Sequence, residues 1–529
     1  VAVKVLVSDS LAEEGLERLR AAQGVEVTLG HEWTREELLS RIGEFDGLIV
    51  RSSTRVDREL IEAATRLRVI GRAGVGVDNI DVQAATKRGI AVINSPEGNT
   101  VSTAEHTIAM MAALARQIPQ AYARLVRDGV WDRKRFVGVQ LSGKTLGVVG
   151  LGRVGSEVAL RAKALGMQVL GYDPFINEDR AKRLGVTIAT VEEICRAADF
   201  ITVHTPLTKQ TEGLISEKEF ALMKTGVRII NCARGGIIDE KALYDAIVSG
   251  KVAGAALDVF VDEPPGDHPL LSLEQVIATP HLGASTHEAQ VNVAVDTVDA
   301  VVQALQGLPV KNAVNAPALR AAGVEGLAPY LTLCERMGHF ITHVFGGNFN
   351  RIEVIYRGKA AGFDEEALTA GLIKGMLAPI LNERVNYVNA RTLAAERHMR
   401  IAVTKEQDAN GNSDPVTVRL RSEERERSVS GSLVRETHPI ITEIDGNPVN
   451  VATEGRLLVA YNVDRPGIIG RVGTLLGEHG VNIAFMQVGR KEVGGYAVMV
   501  LGIDTPLSDA VQERLRSLDF LKDVRFVEW

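Results

Sequence analysis

Three short stretches of the chain concentrate polar and charged groups between apolar runs. They are Asn231-Cys232-Ala233-Arg234-Gly235-Gly236, Asp258-Val259-Phe260-Val261-Asp262-Glu263-Pro264-Pro265 and Thr279-Pro280-His281-Leu282-Gly283-Ala284-Ser285-Thr286. Oxidation of a 2-hydroxy acid needs a base for the hydroxyl proton, a cation for the carboxylate and the developing carbonyl, and a planar acceptor for the hydride. Histidine is the side chain that titrates nearest neutrality, and a carboxylate beside it orients the ring and stabilises its protonated form. His281 is therefore the candidate acid/base, Glu263 its partner and Arg234 the cation. Cys232 sits among them, but hydride transfer needs no covalent intermediate, so it is expected to be structural with its backbone facing the cofactor. His106, His287 and His339 are expected to be solvated or core-capping residues.

The acceptor has its own signature. Gly150-Leu151-Gly152-Arg153-Val154-Gly155 follows an apolar run directly and opens a helical pattern over 156–165. In such a turn the first glycine makes the bend, the second admits a pyrophosphate to the backbone, and the third lets helix and strand pack. The amides of the helix N-terminus then face the anion. Asp173 ends the next strand, 18 residues after Gly155, where a carboxylate accepts hydrogen bonds from ribose hydroxyls. It favours NAD over NADP, whose 2′-phosphate it would repel.

These residues must be positioned by a sheet. Apolar runs at 3–8, 25–29, 47–50, 67–71 and 90–94 alternate with helical patterns such as 11–22 and 58–63, and a second series occupies 146–150, 168–172, 200–204, 228–231, 252–257 and 276–278. Both series predict doubly wound α/β architecture with parallel sheets covered on two faces. The proline- and asparagine-rich stretch 308–317 reads as a linker. Beyond it, 317–453 mixes helical patterns (327–344, 365–377) with alternating strands (415–421, 428–433), an α+β region without a catalytic motif. The last segment reads as a small βαββαβ sandwich.

At 529 residues the chain needs several hydrophobic cores, and its 45% hydrophobic and 24% charged composition fits folded domains. A formal net charge of -7 argues against a nucleic-acid partner, which needs basic surface. The three cysteines, Cys195, Cys232 and Cys334, are far apart and lack CxxC spacing, so neither a disulfide framework nor a metal site is expected, and a reducing cytoplasm fits. Residues 1–10 alternate as a strand and not as a signal peptide, and no 18-residue apolar run predicts a membrane span.

Taken together, Gly-Leu-Gly-Arg-Val-Gly at 150–155, Asn-Cys-Ala-Arg-Gly-Gly at 231–236, Leu-Asp-Val-Phe at 257–260 and Pro-His-Leu-Gly-Ala-Ser-Thr at 280–286 resemble the signatures of the D-isomer-specific 2-hydroxyacid dehydrogenases. The resemblance implies a substrate-binding domain at 1–98 and 282–310, with a Rossmann NAD-binding domain inserted at 99–281. It implies catalytic roles for Arg234, Glu263 and His281, and cofactor contacts from Gly150, Gly152, Arg153, Val154, Gly155, Asp173, Thr205, Pro206, Cys232, Asp258, Gly283 and Ala284. Loops carrying Arg51, Ser52, Val75, Gly76 and Asn99 are most similar to those of members that oxidise D-3-phosphoglycerate to 3-phosphohydroxypyruvate, the entry step of serine synthesis. Arg51 suits a bidentate clamp on an anionic substrate. Arg133, Lys134 and Arg135, beside Trp131, either add phosphate attraction or form a solvated loop. Val75 stands where some relatives place a threonine, which leaves only a backbone contact there.

Region 311–453 resembles the intervening domain of the longest members, and 454–529 resembles the ACT domain, which binds amino acids where copies pair. By that resemblance Asn462, Asp464 and Asn482 are serine-binding positions, with Asn462 replacing a histidine or tyrosine of relatives. L-serine as effector and a homotetramer are what the resemblance implies. Two other readings stay open: a dehydrogenase of another hydroxy acid, such as a hydroxypyruvate or glyoxylate reductase, and an NAD-sensing scaffold like the family's corepressor branch.

Overall fold

Short apolar runs bounded by turns become strands when both faces are covered, and the first of them show this directly. In the computed structural model, which describes residues 2–321, 323–346, 349–406, 415–422 and 425–529, strands β1 (Val3–Val7), β2 (Val25–Leu29), β3 (Gly47–Val50), β4 (Val69–Arg72) and β5 (Ala91–Asn94) form a parallel sheet in the order β2-β1-β3-β4-β5. Leu6, Leu48, Ile70 and Val92 are each fully buried on one face, beneath helices whose starts are capped by Asp57 and Asp81. The other face meets helix His287–Leu305, so closely that a Cβ at Gly71 would lie 2.4 Å from Val301.

The stretch expected to be a linker is not free. Val314 N–H donates to Val92 O, Asn315 Oδ1 accepts from Val92 N–H at 2.8 Å, and Ala313 bridges Ile93. Its asparagines satisfy the open edge of β5, which explains their presence better than flexibility does.

The chain separates into two units. Val1–Ser10, Glu17–Asn94 and Thr297–Trp529 form one; Leu11–Leu16 and Ser95–Asp296 form the other. The second is a seven-stranded parallel sheet, β6 (Thr145–Val149), β7 (Gln168–Tyr172), β8 (Thr187–Ile188), β9 (Phe200–Val203), β10 (Val227–Asn231), β11 (Val252–Leu257) and β12 (Val276–Ala278), in the order β12-β11-β10-β9-β6-β7-β8. The order reverses beside β6, the switch point at which such sheets bind ligands. The helix after the glycine turn spans Arg153–Ala164 and so begins inside the turn, three residues before the expected start.

In the first unit a six-stranded sheet follows: β13 (Arg351–Arg357), β14 (Arg400–Glu406), β15 (Val416–Arg421), β16 (Glu426–Val434), β17 (His438–Ile444) and β18 (Asn447–Ala452), in the order β14-β13-β15-β16-β17-β18. It is backed by helices Leu327–Phe345 and Glu365–Leu377. The chain then makes the expected βαββαβ module. Its strands β19 (Arg456–Val463), β20 (Ile483–Arg490), β21 (Tyr496–Ile503) and β22 (Leu521–Glu528) form an antiparallel sheet in the order β20-β21-β19-β22.

Candidate active site

The glycine turn is built as the sequence requires. Gly150 has φ +98°, and a Cβ there would lie 2.6 Å from His204 O; a Cβ on Gly155 would lie 1.9 Å from Gly150 O. Those two glycines are demanded by packing. At Gly152, by contrast, a Cβ would meet no atom within 4 Å, so the space over it is left for a ligand. Nearby, Thr205 Oγ1 and Asn99 Oδ1 are buried without a hydrogen-bond partner among the described residues, and Arg153 reaches Glu97 at 3.3 Å. Asp173 accepts from Leu151 N–H and Phe175 N–H, each at 2.9 Å, which fixes it beside the turn. An open cradle, helix amides and unsatisfied polar atoms together fit a dinucleotide. Val154 and Thr205 are half-buried and Pro206 is exposed.

At the carboxyl ends of β10, β11 and β12 three loops lock together. Asn231 Nδ2 donates to Arg234 O and Asn231 Oδ1 accepts from Ala233 N–H, which shapes the arginine loop. Gly235 presses that loop on the next one, because a Cβ there would lie 2.0 Å from the Phe260 carbonyl carbon. Glu263 Oε1 accepts from Phe260 N–H, and its Oε2 lies 2.7 Å from His281 Nδ1. His281 has φ +54°, a strained conformation for a non-glycine residue. Glu263 thus engages Nδ1 of the His281 ring. Proline ring carbons, Phe260 and Leu271 join Glu263 and His281 around a cavity of about 380 Å³.

The Asp258 carboxylate is 1% exposed and engaged by four protein donors. It accepts from Thr279 Oγ1 at 2.6 Å, Leu282 N–H at 2.7 Å and Gly283 N–H at 2.8 Å, and it pairs with His106 Nε2 at 3.2 Å. Burial alone would raise this carboxyl; the bonds from His106, Thr279 and Leu282 outweigh burial and hold it below the ordinary range. Its visible work is to suspend the His281 loop. Cys232 is buried, and burial first, then the Asp258 charge, push its thiol up to about 12, as suits a structural cysteine. Gly283 and Ala284 continue the suspended loop, with Gly283 O accepting from Thr103 Oγ1.

His106 corrects an expectation. It is no solvated or merely capping residue but a partner of this buried carboxylate. Nothing near it in the sequence signals that, because Asp258 and Thr279 lie far along the chain.

In the first unit, Arg51 follows β3 with its N–H on Asp9 Oδ2 and its Nη1 3.3 Å from Ser10 O, while Ser52 is exposed. Asn79 Nδ2 donates to Arg51 O, and Asn94 Nδ2 donates to Val75 O; Gly76 is half-buried next to it. These loops share the carboxyl edge of the parallel sheet. Asn99 opens helix Thr100–Arg116. Arg133 and Lys134 are exposed, and Arg135 pairs with Glu274 at 2.5 Å.

The three proposed effector residues do not converge within one chain. Asn462 and Asp464 lie where β19 ends, beside Tyr496 and Arg490, whereas Asn482 precedes β20 and donates to Asp504 Oδ2 at the opposite end of the sheet. Eight-residue strands separate those ends by roughly 25 Å. Asn462 is 3% exposed and its Oδ1 has no hydrogen-bond partner among the described residues. Asp464 accepts from Arg490, which holds its carboxyl below the usual range, and from Gly494 N–H.

A doubly wound sheet with this glycine turn and a histidine–glutamate pair at its carboxyl edge defines an NAD-dependent dehydrogenase. Known proteins agree. Residues 108–283 match the D-isomer specific 2-hydroxyacid dehydrogenase NAD binding domain, 326–445 the D-3-phosphoglycerate dehydrogenase intervening domain, and 456–520 the ACT domain. The chain is 46% identical over 527 residues to the D-3-phosphoglycerate dehydrogenase of Methanocaldococcus jannaschii, covering 99% of each chain, and 43% identical to that of Bacillus subtilis, again covering 99% of each. Among solved structures, a glyoxylate reductase from Paecilomyes thermophila superposes with a TM-score of 0.55 at 32% identity, covering 59% of this chain and 98% of that one. A D-lactate dehydrogenase from Aquifex aeolicus complexed with NAD and lactic acid gives a TM-score of 0.52 at 30% identity, covering 57% and 96%. The chain belongs to the D-isomer specific 2-hydroxyacid dehydrogenase family, within its D-3-phosphoglycerate dehydrogenase group. No helix among the described residues is long and apolar enough to cross a membrane.

Proposed function

We propose that the chain oxidises D-3-phosphoglycerate to 3-phosphohydroxypyruvate with Arg234, Glu263 and His281 as its catalytic residues. The observation that carries this is the 2.7 Å contact of His281 Nδ1 with Glu263 on a loop packed against the Arg234 loop. His281 Nε2 takes the proton of the substrate's C2 hydroxyl, and Glu263 holds the ring and balances the charge it gains. Arg234 binds the carboxylate and the oxygen that becomes the carbonyl. NAD, when bound, supplies the acceptor for the C2 hydrogen and its electron pair. Gly150, Gly152, Arg153, Val154, Gly155, Asp173, Thr205, Pro206, Cys232, Asp258, Gly283 and Ala284 are the residues we assign to hold it.

The relatives' names direct the choice of substrate, and its binding falls to Arg51, Ser52, Val75, Gly76 and Asn99, with Arg51 as the clamp on an anionic group. We divide the chain accordingly into a substrate domain (1–98, 282–310), a cofactor domain (99–281), an intervening domain (311–453) and an ACT domain (454–529), working in the cytoplasm as a homotetramer. L-serine is the effector we assign to the ACT domain. Asn482 lies at the far end of the sheet from Asn462 and Asp464, so a site using all three is completed by a second copy. The buried Asn462 Oδ1, without a hydrogen-bond partner among the described residues, supports a ligand there.

The test follows NADH absorbance with purified protein, comparing phosphohydroxypyruvate with hydroxypyruvate and glyoxylate. A clear preference for the phosphorylated acid is expected. Equal rates would move the substrate to an unphosphorylated hydroxy acid, and no turnover would favour the scaffold reading. A serine titration, repeated on Asn482→Ala, checks the effector separately: inhibition should weaken at least tenfold in the variant, and a flat response in the parent rejects it.

A further inference from the structure

The geometry points to His106 as a positioning residue of this oxidation, acting through Asp258 on the His281 loop. The inference rests on the reading of His281 as the acid/base. Asp258 is a buried carboxylate with no lysine or arginine partner among the described residues, and four donors converge on it: Thr279 Oγ1, His106 Nε2, and the N–H groups of Leu282 and Gly283. Two of those donors belong to the residues immediately after His281. The Asp258 backbone carbonyl also accepts from His281 N–H at 2.9 Å. One aspartate thus fixes the catalytic histidine from behind on both sides of its peptide.

The Thr279 hydroxyl gives its proton to Asp258, so its oxygen faces His106 Nε2 at 3.2 Å as an acceptor. Both neighbours of Nε2 therefore accept, which fixes Nε2 as a protonated, donating nitrogen. His106 sits on helix Thr100–Arg116, whose Thr103 also reaches the suspended loop through Gly283 O. The helix and the loop are tied twice, and His106 carries the tie that bears on the carboxylate. Because His281 is held at φ +54°, a conformation disfavoured for a side-chain-bearing residue, its loop depends on such anchors to stay in place. Cys232 Sγ completes the cluster with His106 and Asp258, all within 4.8 Å of one another. Its neutral thiol leaves the histidine as the group that faces the aspartate's charge.

The experiment uses the full chain and measures kcat and KM for both substrates, with thermal melting as a check on folding. His106→Leu should lower kcat by roughly 10- to 100-fold, the usual cost of removing an outer partner, while KM for the hydroxy acid changes less than about twofold. His106→Gln, whose side-chain amide can still donate, should restore most of the rate. In a double-mutant cycle, His106→Leu combined with Asp258→Asn should be no slower than Asp258→Asn alone, because both act through one carboxylate. Wild-type kcat in His106→Leu, failure of glutamine to rescue, or multiplicative losses in the cycle would each overturn the assignment. Should His106→Leu fail to fold, Thr279→Val removes another donor to the same oxygen and carries the same expected loss in kcat. His281→Gln runs in parallel: if it keeps its turnover, the acid/base reading itself fails, whereas its loss beside an unchanged His106→Leu overturns only the role of His106.

Discussion

Gly152 and Gly155 stand three positions apart in one turn and answer to different forces. A methyl at 155 would press on Gly150 O at 1.9 Å, whereas one at 152 would meet no protein atom within 4 Å. Gly155→Ala should therefore destabilise the fold by about 1–3 kcal/mol through overpacking, seen as a lower melting temperature without any ligand. Gly152→Ala should melt like the parent yet bind NAD at least tenfold more weakly by titration calorimetry. The same turn rests on His204, which bonds Thr202 at 3.0 Å. Burial pushes the His204 imidazole down to about 4. Its folded value lies below the unfolded value near 6.5, so the folded state takes up the proton less readily. The stability it contributes is whole above about pH 6.5 and is lost as pH falls towards 4, on the order of 2 kcal/mol after allowing for partial exposure. Melting temperatures recorded across that range should fall in the parent and fall less in His204→Gln.

Elements were legible where local pattern and tertiary role coincide. The strands that carry the site, β9, β10 and β11, are four to six residues of nearly continuous apolar sequence bounded by turns, and polar stretches after them could be read as a sheet edge. β8 was missed because Thr187 and Ile188 are both exposed and make only two residues of ladder. The tie of His106 to Asp258 was missed for a different reason: it joins a helix face to a loop through tertiary contact, which no periodicity records. The intervening helices show what close approach demands of sequence. A Cβ on Gly375 would lie 1.9 Å from Glu335 O, and one on Gly338 would lie 2.1 Å from Leu372 O, so helices Leu327–Phe345 and Glu365–Leu377 touch backbone to backbone. Gly375→Leu must force them apart, with an expected loss of more than about 3 kcal/mol. Circular dichroism melting should reveal it, while NAD affinity, which belongs to the other unit, stays unchanged.

At the scale of the whole molecule, the ACT sheet is not a bead on a string. Leu458 and Ala460 of β19 face the module's own helices with Met499, Leu501, Val472 and Leu476. The alternate residues Leu457 and Val459, with Val498, Val500 and Val527, belong to the same buried cluster as Leu333, Met337 and Phe340 of the intervening domain. Period-two alternation therefore makes each strand serve two cores. Arg427 adds polar ties by pairing with Asp445 at 2.8 Å and Asp523 at 3.0 Å, and Tyr461 donates to Asp445 at 2.5 Å. Loss of the ACT module would uncover Leu333, Met337 and Phe340, at a cost of roughly 6 kcal/mol at 1.5–3 kcal/mol each, comparable to the whole stability of a marginal domain. A chain cut after residue 453 should thus lose the cooperative melting of the intervening domain and bind the dye ANS, although the boundary between the two family matches makes 453 look like a clean place to cut. A truncated chain that melts like the parent and leaves ANS dark would mean that the shared core contributes little, and that any effector signal from the ACT domain needs another route.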